Sequence, residues 1–206
     1  MKKYPAMAFL EFVDIPSGIL ASDAMVKESP LAFIKAGTVS HGRYLTVVGG
    51  STAAVEEAVN EARECSGDSI IDQAFLPDIH PRLHDAVLGT RQPCRKDGAL
   101  AVLETTTTPR MVQIAEVILK AVPVDLIEIR LADSVLSGKG VSIFQGELFD
   151  IEEAVDIAGS CLKRKDVQLV SRVLTRPHET TLHQIAGGTS FHGSRGLHLD
   201  GEVVEF

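Results

Sequence analysis

Apolar and polar positions along the chain alternate between strand-like and helix-like periods. Residues 7–13 and 100–105 are compact apolar runs of strand length. A helical segment follows each run. In the second, Met111, Ile114, Ala115 and Ile118 recur at three- and four-residue spacing and share one helix face. Thr108 stands as the cap of that helix, with Pro109 at its first position. Pro30 and Pro123 lie just beyond the two helices, where the proline ring and its missing N–H prevent continuation. Two strands come next in each half, over residues 33–39 and 44–48, then 126–131 and 141–144. The turns between them carry Ser40-His41-Gly42 and Ser137-Gly138-Lys139-Gly140. A second helix begins near Ser51 or Thr52, and near Asp150, where Asp150 and Glu153 have capping-box spacing. Val55, Ala58, Val59 and Ala62 form one apolar stripe, and Ile151, Ala154, Val155 and Ala158 another. The acid pairs Glu56-Glu57 and Glu152-Glu153 are expected in the first turns, where the helix dipole favours them. A last strand, residues 70–76 or 167–174, leads into a short helix after Pro81 or Pro177.

The chain is therefore written twice. Ala8-Phe9-Leu10-Glu11 is echoed by Ala101-Val102-Leu103-Glu104 at an offset of 93 (104 − 11). Val55-Glu56-Glu57-Ala58-Val59 returns as Ile151-Glu152-Glu153-Ala154-Val155 at an offset of 96 (152 − 56), shared by Cys65 and Cys161. His80 and His178 pair at 98 (178 − 80). A drift in small steps means loop insertions within a shared scaffold. The expected organisation is a first domain over residues 1–92, a linker over 93–98 and a second domain over 99–186. An extension follows over 187–206. In it Leu197-His198-Leu199 and Val203-Val204 flank Asp200-Gly201, as in a small β-hairpin. It is free to cover a sheet edge or to contact a neighbouring subunit or cargo. The element order predicts an α+β fold: two tandem split β-α-β, ferredoxin-like units, each an antiparallel sheet with helices on one face.

Composition narrows the function. Of 206 residues 45% are apolar and 23% charged, which suits a globular chain with a real core. The net charge of −8 argues against a nucleic-acid partner, because phosphates demand clustered Lys and Arg. Arg95-Lys96 and Lys163-Arg164-Lys165 are too short to reverse that. The first apolar stretch meets Glu11 and Asp14 too soon for a signal-peptide core or a membrane span. Three cysteines without C-x-x-C spacing suggest reduced thiols in the cytoplasm.

Candidate catalytic chemistry fails on geometry. His178 and His183 suggest a zinc-protease helix but stand five apart, which rotates the second ring some 140° from the first. His80 and His84 share a helix face by spacing, but Pro81 puts His80 at the cap. Gly49-Gly50-Ser51-Thr52 lacks the glycine-lysine-serine/threonine ending of a nucleotide loop, and reads as a tight turn and helix start. No Ser/His/Asp or Cys/His grouping assembles, so the chain is expected not to be an enzyme.

The wording of both copies resembles the bacterial microcompartment shell domain over nearly all of residues 6–186. The first copy matches through Phe9-Leu10-Glu11, residues 21–27, Val48-Gly49-Gly50 and Ile79-His80-Pro81. The second matches through Val102-Leu103-Glu104, Lys120 and Leu174-Thr175-Arg176-Pro177-His178-Glu179. Two such domains in unpermuted order are similar to the trimeric tandem class, including the tandem shell proteins of propanediol-utilisation compartments. The resemblance implies a homotrimeric pseudohexagonal tile in a cytoplasmic microcompartment shell. Other shell proteins would be its partners, and small metabolites would pass its central pore. Carried over by position, Thr38, Val39, Ser40, His41 and Gly42 face the pore. Ser134, Val135, Leu136, Ser137 and Gly138 alternate with them or lie just off the axis. Lys27 and Lys120 match the family's edge lysine and Arg176 a neighbouring edge arginine, with Asp78 in its place in the first copy. The propanediol-type protein holds an iron–sulfur cluster on a pore cysteine. Here Ser40 and His41 stand there, and a hydroxyl is a poor substitute for thiolate, so no cluster is expected. Three symmetry-related His41 rings offer a conceivable metal site; the plainer reading is a solvent-facing turn histidine. An alternative to the tile is a soluble small-molecule sensor of paired ferredoxin-like domains, and a third reading, an electron-transfer shell protein, suffers from the missing cysteine.

Overall fold

The computed structural model describes residues 4–132, 136–162 and 167–190. Ser134, Val135, the Lys163-Arg164-Lys165 run and the hairpin reading of residues 197–204 lie outside the described residues. The first domain runs β1 (Ala6–Phe12), α1 (Ile15–Glu28), β2 (Phe33–Thr38), β3 (Tyr44–Gly50), α2 (Thr52–Ser66), β4 (Ile70–Leu76) and α3 (Pro81–Val87). The second repeats it as β5 (Ala99–Thr105), α4 (Thr108–Ala121), β6 (Asp125–Leu131), β7 (Gly140–Gly146), α5 (Leu148–Ser160), β8 (Leu169–Leu174) and α6 (Glu179–Ala186). Both sheets are antiparallel, ordered β2-β3-β1-β4 and β6-β7-β5-β8. This is the split β-α-β arrangement.

β1 is buried on both faces, which explains why it reads as a continuous apolar run. Ala6, Ala8, Leu10 and Phe12 pack with Met25 of α1 and with Val55, Ala58, Val59 and Ala62 of α2. Met7 and Phe9 point the other way, into a cluster that includes Leu83 of α3. Two helices therefore lie on one sheet face and the short third helix on the other, a correction to the one-face expectation. The second domain follows suit, with Leu182 of α6 packed on Leu100, Ile127 and Ile143.

The two copies solve one contact in opposite ways. Gly18 of α1 lies so close to Tyr44 of β3 that a Cβ would stand 2.4 Å from its ring. At the corresponding places the second copy has Met111 and Gly140, and there a Cβ on Gly140 would meet the Cβ of Met111 at 2.4 Å. Large and small have exchanged sides while the helix-to-sheet distance is kept.

Three local readings shift. Thr107, not Thr108, is the N-cap of α4, and its hydroxyl is drawn away to Asp72 at 2.6 Å. Helix α5 starts at Leu148, so Asp150 lies within its first turn and is not the cap. Glu56-Glu57 and Glu152-Glu153 consequently fall in second turns, not first. His80 does cap α3, its Nδ1 accepting from the Arg82 N–H at 3.3 Å.

Candidate functional site

The second domain is joined to the first through α4, which packs on β4 as well as on its own sheet. Val112, Glu116 and Leu119 recur at helical spacing on α4 and are all buried. The apolar part of this seam merges Ala74, Leu76 and Ile79 with Val112, Ala115 and Ile118 in one core.

Its polar part consists of buried acids from the first domain meeting the start of α4. Glu11 is fully buried; its Oε1 accepts from Arg43 Nη1 at 2.9 Å and its Oε2 from the backbone N–H of Thr108 at 3.0 Å. The cap that the sequence assigned to Thr108 is thus supplied by a carboxylate of the other domain, where the helix dipole favours it. Asp72 accepts from Thr107 and, at 3.3 Å, from Arg110. At the far end, Glu116 accepts the N–H of His80 at 2.8 Å and pairs with Lys120 at 2.6 Å. Lys120 also donates to the Asp78 carbonyl at 2.8 Å.

Burial pushes the Glu11 carboxyl above its ordinary value, and Arg43 and the Thr108 amide offset only part of that rise. At pH values between the unfolded and the folded value, the native state holds a proton that the unfolded chain has released. The associated stability is complete below the unfolded value of about 4.5 and is lost as pH rises through the higher folded one. Glu11→Gln should flatten this loss in urea denaturation across a pH series. An unchanged slope would show that the carboxyl titrates alike in both states.

Two turns meet where Arg43 leaves the seam. In the first, Val39 N donates to Arg43 O at 2.9 Å around Ser40, His41 and Gly42. His41 and Gly42 both have left-handed backbones, with φ of 65° and 70°, which turns the exposed imidazole outward. In the second, Ala132 N donates to Lys139 O at 3.2 Å and Lys139 N to Leu136 O at 2.9 Å. Gly138, at φ 80°, packs against the first domain: a Cβ there would lie 3.1 Å from Arg43 Nη1 and 3.3 Å from Glu11 Oε1. The structure thus brings Leu136, Ser137 and Gly138 to the same end of the molecule as Thr38–Gly42.

The edge residues are placed less alike. Lys27 is exposed on α1 and pairs with Asp23 at 2.5 Å, four residues back, as Lys120 pairs with Glu116. Lys120 and Asp78 are brought together within one chain, whereas Arg176 stands exposed between β8 and α6. His84 is buried, accepts from Tyr4 N at 3.3 Å and bonds Asp85 at 2.8 Å, so it serves the core and not a ligand pair with His80. Among the described residues no cluster of His, Cys, Asp and Glu is suited to a metal ion, and no helix is long and apolar enough to cross a membrane. Sequence reasoning missed Glu11, Arg43, Asp72 and Glu116 as seam residues. The return of Glu11 as Glu104 was the available signal.

Comparison with known proteins agrees with this duplicated architecture. The BMC domain family matches residues 6–79 and again 99–177. A curated relative, the bacterial microcompartment shell protein PduT of Citrobacter freundii, is 28% identical over 183 residues, which covers 89% of this chain and 98% of the relative. A solved microcompartments protein of Desulfitobacterium hafniense DCB superposes with a TM-score of 0.72 at 27% identity, over 85% of this chain and 96% of that one. The double-ringed trimeric shell protein MSM0271 of the RMM microcompartment shares the fold, with a TM-score of 0.55 at 14% identity over 77% and 83% of the two chains. With the domain matched twice in chain order and each copy forming its own four-stranded sheet, the chain belongs to the BMC domain family as a tandem member.

Proposed function

We propose that this chain is a structural tile of a bacterial microcompartment shell, with three copies closing into a ring of six BMC domains around a pore. The observation that carries the ring is a difference between equivalent helices. Val112, Glu116 and Leu119 of α4 are buried against the first domain. Their counterparts on α1 are Ile19, Asp23 and Val26, and these are open: Ile19 is 53% and Val26 45% exposed. The strand that would cover them in a repeat of the same contact is β8, and its Val170 is 49% exposed. A head-to-tail contact within the chain therefore leaves one unused copy of each half, and repetition with rotation closes a ring.

The polar groups support the same geometry. Glu104 stands where Glu11 does and pairs with Lys139, at 2.7 Å, as Glu11 pairs with Arg43. In the ring its second oxygen takes the N–H of Ile15 at the start of the next copy's α1. Asp23 takes the N–H of His178 from the neighbour, as Glu116 takes that of His80. Lys27 and Arg176 then meet at the chain boundary, as Lys120 and Asp78 meet inside the chain. The rim so formed, with Lys27, Lys120, Asp78 and Arg176, is the tile edge that faces other shell proteins. Mass determination in solution together with negative-stain microscopy tests the reading. A trimer that associates into flat sheets is expected; a discrete monomer would refute it, and a small metabolite-binding oligomer would favour the sensor.

The pore is lined by Thr38–Gly42 and by Leu136, Ser137 and Gly138, and it passes small polar metabolites. The first turn offers a hydroxyl and an imidazole; Cys65, Cys94 and Cys161 lie in α2, the linker and the end of α5. Cluster iron is held by thiolates, so these residues do not fit an iron–sulfur group. Anaerobically purified protein should be colourless, and broad visible absorption would overturn the assignment. The tile's role is structural and not catalytic.

A further inference from the structure

We propose that, in the ring on which this reading rests, Lys139 of the neighbouring copy seats on Gly42 and holds the first pore turn, as Arg43 holds the second turn inside one chain. Gly42 and Gly138 are equivalent positions at the offset of 96 (138 − 42). Both have left-handed backbones, with φ of 70° and 80°. Their surroundings differ. Gly138 is buried, and a Cβ on it would lie 3.1 Å from Arg43 Nη1 and 3.3 Å from Glu11 Oε1. Gly42 is exposed, and a Cβ on it would have no described atom within 4 Å. Backbone conformation alone does not demand glycine in these turns, since His41 and Ser137 adopt φ of 65° and 52° with side chains. At Gly138 the missing Cβ admits the close approach of a cation. The same residue is kept at Gly42, where the single chain has nothing to approach.

The second domain carries the counterpart of the Glu11–Arg43 pair. Glu104 and Lys139 correspond to Glu11 and Arg43 at offsets of 93 (104 − 11) and 96 (139 − 43), and Lys139 Nζ donates to Glu104 Oε1 at 2.7 Å. Inside the chain the pair faces the next domain, Glu11 toward the start of α4 and Arg43 toward Gly138. Repetition of that contact sends Glu104 to the start of the next copy's α1 and Lys139 to its Gly42. Lys139 and Glu104 are still 43% and 37% exposed in the single chain, whereas Glu11 is fully covered. Each turn is also closed by the carbonyl of its cation-bearing residue: Arg43 O accepts from Val39 N at 2.9 Å and Lys139 O from Ala132 N at 3.2 Å. A pore turn is therefore pinned twice, by its own carbonyl and by the cation of the preceding domain. The two cations are unlike. A planar guanidinium holds a fixed geometry, and an ammonium on a four-carbon stem does not. The turn at Ser40 and His41 is thus the adjustable part of the opening, and it is complete only when three copies have closed.

Gly42→Asp in the full chain tests the contact, because aspartate tolerates a left-handed backbone and brings a carboxylate to the ammonium. Zero-length carbodiimide coupling, read on a denaturing gel and by mass spectrometry, should give covalent dimers and trimers linked from Lys139 to position 42. A trimer in solution without that link would overturn the contact and leave the ring standing. A link confined to single chains would also overturn it, and a monomer would refute ring and contact together. Hydrogen exchange separates support across the boundary from local damage. Lys139→Met lies in the second turn, yet it should speed exchange of the Val39 N–H in the first about tenfold, and Lys139→Arg should restore protection. Arg43→Met lies in the first turn and should do the same to the Lys139 N–H in the second. Acceleration confined to the turn that carries the substitution would refute the proposal.

Discussion

Ile19→Glu combined with Val26→Glu should convert the proposed trimer into a folded monomer. Each aliphatic side chain removed from water contributes roughly 1.5–3 kcal/mol, and in the proposed ring both would be covered at every chain boundary. The new acids would also join Asp23 on the same stripe of α1, where like charges within one turn repel. Sedimentation should report single-chain mass while the urea midpoint of the monomer stays near that of the parent domain fold. The same glutamates at Val112 and Leu119 should behave differently, since these positions are buried inside one chain. There an unpaired charge meets the continuous core and the protein should unfold. A ring that survives the α1 substitutions would place the chain boundary elsewhere.

The second large effect concerns the exchanged packing of α1 on β3. Gly18→Met should destabilise strongly, because its Cβ alone already stands 2.4 Å from the Tyr44 ring. Overpacking of this kind costs about 1–3 kcal/mol or more. Tyr44→Gly alone removes a large partly buried ring and leaves a void, again costing several kcal/mol, on the order of 3. The double substitution rebuilds the arrangement of Met111 over Gly140. Its cost in urea denaturation should fall below the sum of the single costs by roughly 0.5–3 kcal/mol, the range for side chains in direct contact. Strict additivity would mean that the two positions do not compensate each other.

Much of the domain fold was legible because it is set by local periods. The apolar stripes of α2 and α5, the prolines beyond α1 and α4, and the compact runs of β1 and β5 all give the element order directly. The repeat then constrained the second half, since Glu11 and Glu104, or His80 and His178, had to occupy similar places. The misreadings share a cause. Thr108 is a good cap by local rules, but Thr107 is drawn to Asp72 and Glu11 supplies the N–H partner from 97 residues away. Helix α3 was legible as a helix, though not as one on the opposite sheet face, because its seven residues carry too short a pattern to specify a direction.

By itself the sequence determined two α+β units, their order, the absence of a thiol from the turn at Ser40, and a net acidic charge. Hydrophobic period and residue chemistry are properties of neighbours along the chain, and they survive without knowledge of what packs where. The tertiary structure decided which of two equivalent helices is covered, that Glu11 and not Thr108 caps α4, and that His84 is a core residue and not a partner for His80. These depend on contacts between residues far apart in sequence. Their burial and pairing exist only once the two sheets have been set against each other.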